Sequence, residues 1–211
     1  MTIRWYFDFI SPFAYLQRAR IRELARTQAI EYRPILVAGL LQRLEHKGPA
    51  EMPDKRRFTY RHVVWRARER GVPLRFPPAH PFNPLAALRL CIAAGCSDAA
   101  IDAIFDHLWR DGLRGDDAAS LAPVAERLGL DAATAIAAPA VKARLQANFE
   151  AAVADGVFGV PTLVADGEVF WGEDATAMFE DWRRDPAAFE QGEMARVAQL
   201  PVGVARTPRA G

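Results

Sequence analysis

Ser11-Pro12 stands between an alternating run of large residues and an amphipathic stretch, where a helix would begin. A serine hydroxyl there can do two things. It can cap free backbone N–H groups of the first turn, and proline at the first helical position loses no hydrogen bond. It can also join the positive helix end in facing a bound anion such as a thiolate. The other chemistry-bearing residue types give less. Cys91 and Cys96 lie five residues apart on an expected helix, which places them on different faces and suits neither a disulfide nor a zinc site. His46, His62, His80 and His107 show no metal-ligand spacing, so no metal is expected. Lys55-Arg56-Arg57 with Arg61 is the densest basic cluster, read either as a solvated helix face or as an anion clamp.

Of the 211 residues, 51% are hydrophobic and 25% charged, enough for one large domain or a domain carrying a sizeable insertion. The net charge is +1 with scattered basic residues, so no nucleic-acid footprint is visible. Met1-Thr2-Ile3-Arg4-Trp5 has no targeting pattern, and no apolar stretch reaches about 18 residues. A soluble cytoplasmic chain without a membrane partner is expected.

The elements around Ser11 follow from periodicity. Ile3, Trp5, Phe7 and Phe9 alternate with Arg4, Tyr6 and Asp8, which predicts a strand over 2–9. Phe13, Ala14, Ile21, Leu24 and Ala25 share one helical face, so a helix should run to about Thr27. Ile30-Glu31-Tyr32-Arg33-Pro34-Ile35 reads as a second strand, its proline suiting an end or edge. From Leu40 to about Phe149 the chain is alanine-rich and helical, with expected core stripes that include Phe58, Val64 and Trp65. Within it, Arg75–Pro84 carries four prolines and reads as a stiff loop, either a packed connector or the wall of an apolar pocket. A helix over Val141–Ala154 leads to Val160-Pro161 and a strand, then the turn Asp166-Gly167 and a second hairpin strand. Gly172-Glu173-Asp174 should open a helix through about Trp182, with its acids in the first turn.

The order β-α-β, helices, α-β-β-α is an α/β, thioredoxin-like fold with an inserted all-helical domain. Residues 1–37 and 140–200 would make the thioredoxin-like part, 38–139 the insertion, and 201–211 a disordered tail. In that plan Ser11 and Val160-Pro161 are neighbours.

Three segments together, Phe7–Leu16, Gly156–Thr162 and Phe170-Trp171-Gly172-Glu173-Asp174, resemble the 2-hydroxychromene-2-carboxylate isomerases. These are relatives of kappa-class glutathione transferases and of thioredoxin-fold disulfide oxidoreductases, and the likeness runs to about Trp182. It implies glutathione as cofactor, with Ser11 donating to its thiolate, since a helix start with a hydroxyl donor lowers a thiol pKa. It further implies a cis Val160-Pro161 bond and strand-like pairing of Val160 with the cysteinyl unit. Asp174 would meet the γ-glutamyl amino group, with backbone N–H groups of Gly172, Glu173 and Asp174 on its carboxylate.

The family's asparagine after the second strand is here His46, in His46-Lys47-Gly48-Pro49, while Pro53-Asp54-Lys55-Arg56 keeps the family pattern. The resemblance implies a homodimer acting on a small aromatic carboxylate. Trp171, Phe13 and the His80-Pro81-Phe82 loop are candidate walls for the ring, and Lys47 or Lys55 candidate partners for the carboxylate. A transferase or a non-catalytic binding module are the rival readings. A disulfide oxidoreductase would need Cys-x-x-Cys where Ser11 and Ala14 stand.

Overall fold

The first strand has two apolar rows because it is an inner strand. In the computed structural model, which describes residues 2–204, β1 (Ile3–Phe7) lies between β2 (Ile30–Pro34) and β3 (Thr162–Ala165), with β4 (Glu168–Trp171) outside β3. β1 runs parallel to β2 and antiparallel to β3, with Tyr6 opposite Thr162. Ile3, Trp5, Phe7 and Phe9 are buried, and the rings of Phe7, Phe9 and Phe105 pack in a chain of centroids 4.6–6.0 Å apart. Tyr6 faces the other way and is equally buried, packed with Ile35, Leu40, Val157 and Val164. Its hydroxyl donates to Asp155 Oδ2 (2.6 Å), which also pairs with Arg4 (2.5 Å).

Helix α1 spans Pro12–Ala25, and α2 (Val37–Arg43) follows β2. Then come α3 (Pro53–Glu69), α4 (Leu85–Ala93), α5 (Asp98–Phe105, continuing as a wider turn to Arg110), α6 (Ala118–Arg127), α7 (Ala132–Ala137) and α8 (Pro139–Ala154). The expected strand-free helical stretch is present, and it lies in one compact unit with the sheet, up to Thr176. The hairpin turn forms at Asp166-Gly167, both with positive φ (47° and 91°).

From Ala177 the described residues, to 204, belong to a second compact unit. It contains most of α9 (Thr176–Arg184), then α10 (Pro186–Phe189) and α11 (Gly192–Val197). Residues 201–204 are irregular and exposed, and the rest of the expected tail lies outside the described residues.

Three expectations need correction. Phe58 and Trp65 are 69% and 53% exposed, so the aromatic stripe of α3 faces outward rather than into a core. The last long helix starts at Thr176, two residues beyond Asp174, because Gly172–Ala175 form a turn. Cys96 does not continue the helix of Cys91: α4 ends at Ala93, and left-handed Gly95 and Cys96 (φ 71° and 50°) fold the chain back.

Candidate active site at the start of the first helix

The loop before Ser11 is held by its own polar groups and by side chains from the helical stretch. Asp8, fully buried, accepts from Val37 N–H (2.9 Å) and Ile10 N–H (3.1 Å). Burial pushes its carboxyl up to about 7, with the backbone donors pulling the other way. Trp109 Nε1–H donates to Phe9 O (2.8 Å), and His80 Nε2 lies 2.8 Å from Ile10 O. A carbonyl only accepts, so His80 carries its proton on Nε2. Tyr60 Oη lies 2.6 Å from Nδ1 and 2.8 Å from His80 O. Burial holds the His80 pKa below its ordinary value.

Ser11 caps α1, its Oγ accepting from Ala14 N–H (3.3 Å), while Ser11 N–H donates to Asp8 O (3.0 Å). Two donors remain unspent: among the described residues, neither the Ser11 hydroxyl proton nor Phe13 N–H has a protein acceptor. Proline at the first helical position removes one competing donor and leaves these two at the positive helix end.

Tyr6 opposite Thr162 brings the loop before β3 to the same end of the sheet as Phe7 and the loop beyond it. Val160-Pro161 is cis, as is His80-Pro81. Val160 packs its side chain on the core around Tyr6, yet its N–H and C=O make no hydrogen bond among the described residues. An extended ligand can therefore pair with it as a strand would. Trp171 is 55% exposed and lies against Gly159, where a Cβ would meet the indole nitrogen at 2.5 Å.

The turn after β4 is fixed from three sides. Gly172 N–H donates to Pro161 O (2.9 Å), so that amide is spent and cannot serve a bound carboxylate as expected. Gln17 Nε2 reaches Gly172 O (3.2 Å) and Thr176 Oγ1 (2.9 Å), while its Oε1 accepts from Trp5 Nε1–H (2.7 Å). Glu173, expected to offer only its backbone, also buries its carboxylate between Arg66 of α3 (2.8 Å) and Arg70, the residue just past the end of α3. Asp174 stays exposed, with Oδ1 over Gly172, whose φ of 103° is a conformation that residues with a Cβ rarely adopt.

The remaining predicted residues divide. Phe13, half-buried, lies 6.1 Å from the His62 ring, which stacks with Phe58 (5.6 Å) and Trp65 (6.0 Å). These three were missed because spacing of four and three residues on a helix reads as core. His80 joins the Ser11 loop, but with both ring nitrogens engaged. His46, Lys47 and Lys55 are exposed; His46 makes a backbone bond to Leu41 O (2.8 Å), and no side-chain bond joins any of them to the Ser11 loop. Gln17 and Glu173 with its arginines were also missed. A polar residue on the buried Phe13–Ile21 face was the available signal for Gln17; nothing local pointed to the Glu173 clamp.

A cavity of about 240 Å³ elsewhere, lined by Leu36, Leu85, Arg89, Lys142 and Phe149 among others, contains none of the predicted residues. No group of three or more possible metal ligands occurs among the described residues, and none of their helices is long and apolar enough to cross a membrane.

Residues 2–182 match the model of the DSBA-like thioredoxin domain family. The chain is 32% identical over 193 residues to a 2-hydroxychromene-2-carboxylate isomerase of Sphingobium xenophagum, a match covering 87% of this chain and 98% of that one. It is 26% identical over 190 residues to glutathione S-transferase kappa 1 of Homo sapiens, covering 79% and 83%. A solved structure of 2-hydroxychromene-2-carboxylate isomerase superposes with a TM-score of 0.75 at 27% identity, over 90% of this chain and 97% of that one. The chain belongs to the 2-hydroxychromene-2-carboxylate isomerase family and is an enzyme of that family.

Proposed function

We propose that this enzyme binds glutathione at the start of α1 and uses its thiolate to isomerise a chromene carboxylate. The observation that carries the reading is the pair of unspent donors, Ser11 O–H and Phe13 N–H, at the helix start. The unpaired Val160 backbone belongs to the loop at the same end of the sheet. A thiolate accepting from the two donors is stabilised by them and by the helix end, so it stays ionised at neutral pH. The cysteinyl backbone pairs with Val160 beside Pro161, and Asp174 takes the γ-glutamyl ammonium. Glu173 and Asp174 amides remain for the carboxylate, with Gly172 contributing its turn instead.

The chemistry balances without consuming glutathione. The thiolate adds to the ring carbon conjugated with the arene while the ring C–O bond of 2-hydroxychromene-2-carboxylate breaks, and the released phenolate takes the proton of the hemiketal hydroxyl. The carbon–carbon bond that was double rotates as a single bond, and expulsion of the thiolate re-forms the double bond and the ketone as trans-o-hydroxybenzylidenepyruvate. Phe13 and Trp171 supply flat walls, and half-buried His62 with exposed Phe58 and Trp65 extends the first of them outward. His80 acts behind the site, since its nitrogens hold Ile10 O and Tyr60. Likeness to a kappa glutathione transferase favours a second reading, in which the thiolate attacks an electrophile and stays bound to it.

The test is a calorimetric glutathione titration followed by an ultraviolet assay with the chromene carboxylate. Ser11→Ala should raise the pKa of bound glutathione, read from thiolate absorbance, and cost about 1 kcal/mol of stability through the lost cap. Unchanged thiolate absorbance in that variant would remove Ser11 from the role. A stable glutathione adduct in place of an isomer would decide for transfer.

A further inference from the structure

The chain's two cysteines lie outside the site around Ser11, and both are free thiols. Beyond the end of α4, left-handed Gly95 and Cys96 bring Cys96 N–H to the Cys91 carbonyl oxygen at 2.9 Å. A side-chain contact frequently accompanies a six-to-one bond of this type at a helix end, and here the two thiols hydrogen-bond to each other. With covalent dimensions on either side, it holds the two Cα atoms within about 6.8 Å, the outer limit of the range that a disulfide spans. Positive φ is uncommon for a cysteine, so the turn spends backbone freedom to bring this side chain back. The two thiols also differ. Cys91 is fully buried and burial raises its pKa, while Cys96 is half-buried and its pKa is lowered, first by the hydrogen bond from Cys91 and then by Arg144 and Arg33. That is the division between an attacking thiolate and a resolving thiol.

We propose that Cys91 and Cys96 form a redox-active dithiol that a small disulfide, such as glutathione disulfide, oxidises to an intramolecular disulfide. The Cys96 thiolate attacks one sulfur of glutathione disulfide, forming a mixed disulfide and expelling one glutathione thiolate. Cys91 then loses its proton and attacks Cys96 Sγ, expelling the second. Two electrons pass from the protein to the glutathione disulfide, and the two thiol protons end on the two released glutathiones. None of these steps passes through Ser11. A chain that failed to bind reduced glutathione at α1 would still show them.

The experiment equilibrates the full chain with glutathione disulfide, alkylates it under denaturing conditions, and reads intact mass and peptide map. The expected product has lost two hydrogen atoms, resists alkylation at both cysteines, yields a linked Cys91–Cys96 peptide and reverts with dithiothreitol. Bis(2-hydroxyethyl) disulfide, which lacks the tripeptide, should give the same product. Cys91→Ala should stop halfway, with a stable glutathione adduct on Cys96. Cys96→Ser, which leaves the buried position intact, should slow reaction at Cys91 by about tenfold or more. Two alkylatable thiols after exposure, a persistent glutathione adduct on the unmutated chain, or a disulfide between chains would each overturn the proposal.

Discussion

The two sides of the candidate site are held by different physics. On the Ser11 side the contacts are hydrogen bonds in a buried loop: Asp8 to two amides, Trp109 and His80 to two successive carbonyls. On the Asp174 side the turn is clamped by charge, with Glu173 between Arg66 and Arg70, and by the Gln17 amide. The difference matches what each side is proposed to do. A thiolate is governed by a few donors at fixed distances, and stray charge nearby would set its pKa instead. An ammonium held by an exposed aspartate tolerates charged neighbours, provided the aspartate is aimed. Glu173, one residue away, holds the turn that carries Asp174.

The comparison breaks first at the clamp. Glu173→Gln leaves two arginines facing each other around a buried amide, and removing one member of a buried ion pair costs about 3–5 kcal/mol. Arg70 is 40% exposed and Arg66 21%, so water recovers part of that, and about 3 kcal/mol in urea unfolding is expected. The same variant should weaken glutathione binding more than it slows turnover of the bound complex. Asp8→Ala is next. It orphans the Val37 and Ile10 amides, at roughly 1–3 kcal/mol for each unsatisfied group, with relaxation bringing the sum to about 2–3 kcal/mol. Raising salt should shrink the first loss and leave the second nearly unchanged. Equal salt dependence in both variants would erase the distinction between the two sides.

Acidity sharpens it further. Asp8 holds its proton more tightly folded than unfolded, with a folded value of about 7, so the stability this contributes is full below the ordinary carboxyl pKa and lost as pH rises through 7. His80 is shifted the opposite way for a base. Its folded pKa lies below the ordinary value near 6.5, so its contribution is present above that value and lost as pH falls through it. The two oppose each other on acidification. Asp8→Ala should therefore lose more stability than the unmutated chain between about pH 7 and pH 4, and His80→Gln less. Parallel pH curves for all three proteins would mean that neither group is shifted by the fold.

What sequence could tell about this site follows from range. Ser11-Pro12, the alternating strand before it and the Asp166-Gly167 turn are local patterns, and each formed where periodicity and turn chemistry put it. Val160-Pro161 came to the Ser11 end of the sheet because strand order and direction follow from the element order. Long-range side-chain partners were not legible. Trp109 lies 100 residues from Phe9 and His80 lies 70 from Ile10, and no spacing rule connects such pairs. The Gly172 amide failed as a ligand donor for the same reason, since its acceptor, Pro161 O, sits across the hairpin. Phe58 and Trp65 were misplaced because apolar residues at helical spacing read as a core stripe whether or not another element covers them.

The smallest effects should fall on the third group of predicted residues. His46, Lys47 and Lys55 are exposed, and no side-chain bond of theirs reaches the Ser11 loop or the Glu173 clamp. Replacing any one by alanine should change stability by less than about 0.5 kcal/mol, as for surface positions away from caps and networks. His46 stands at the position of the family asparagine in the expected glutathione site, Lys47 and Lys55 are expected on the substrate carboxylate, and a solvated lysine meeting a carboxylate contributes about 0–1 kcal/mol, at most a few-fold in affinity. The informative measurement is therefore a glutathione titration and a substrate KM on the triple variant His46→Ala, Lys47→Ala, Lys55→Ala. A loss within a few-fold in both leaves the site to the two structured sides. A loss beyond tenfold would mean that this segment orders onto the ligand and acts as a third side, held by binding and not by the fold.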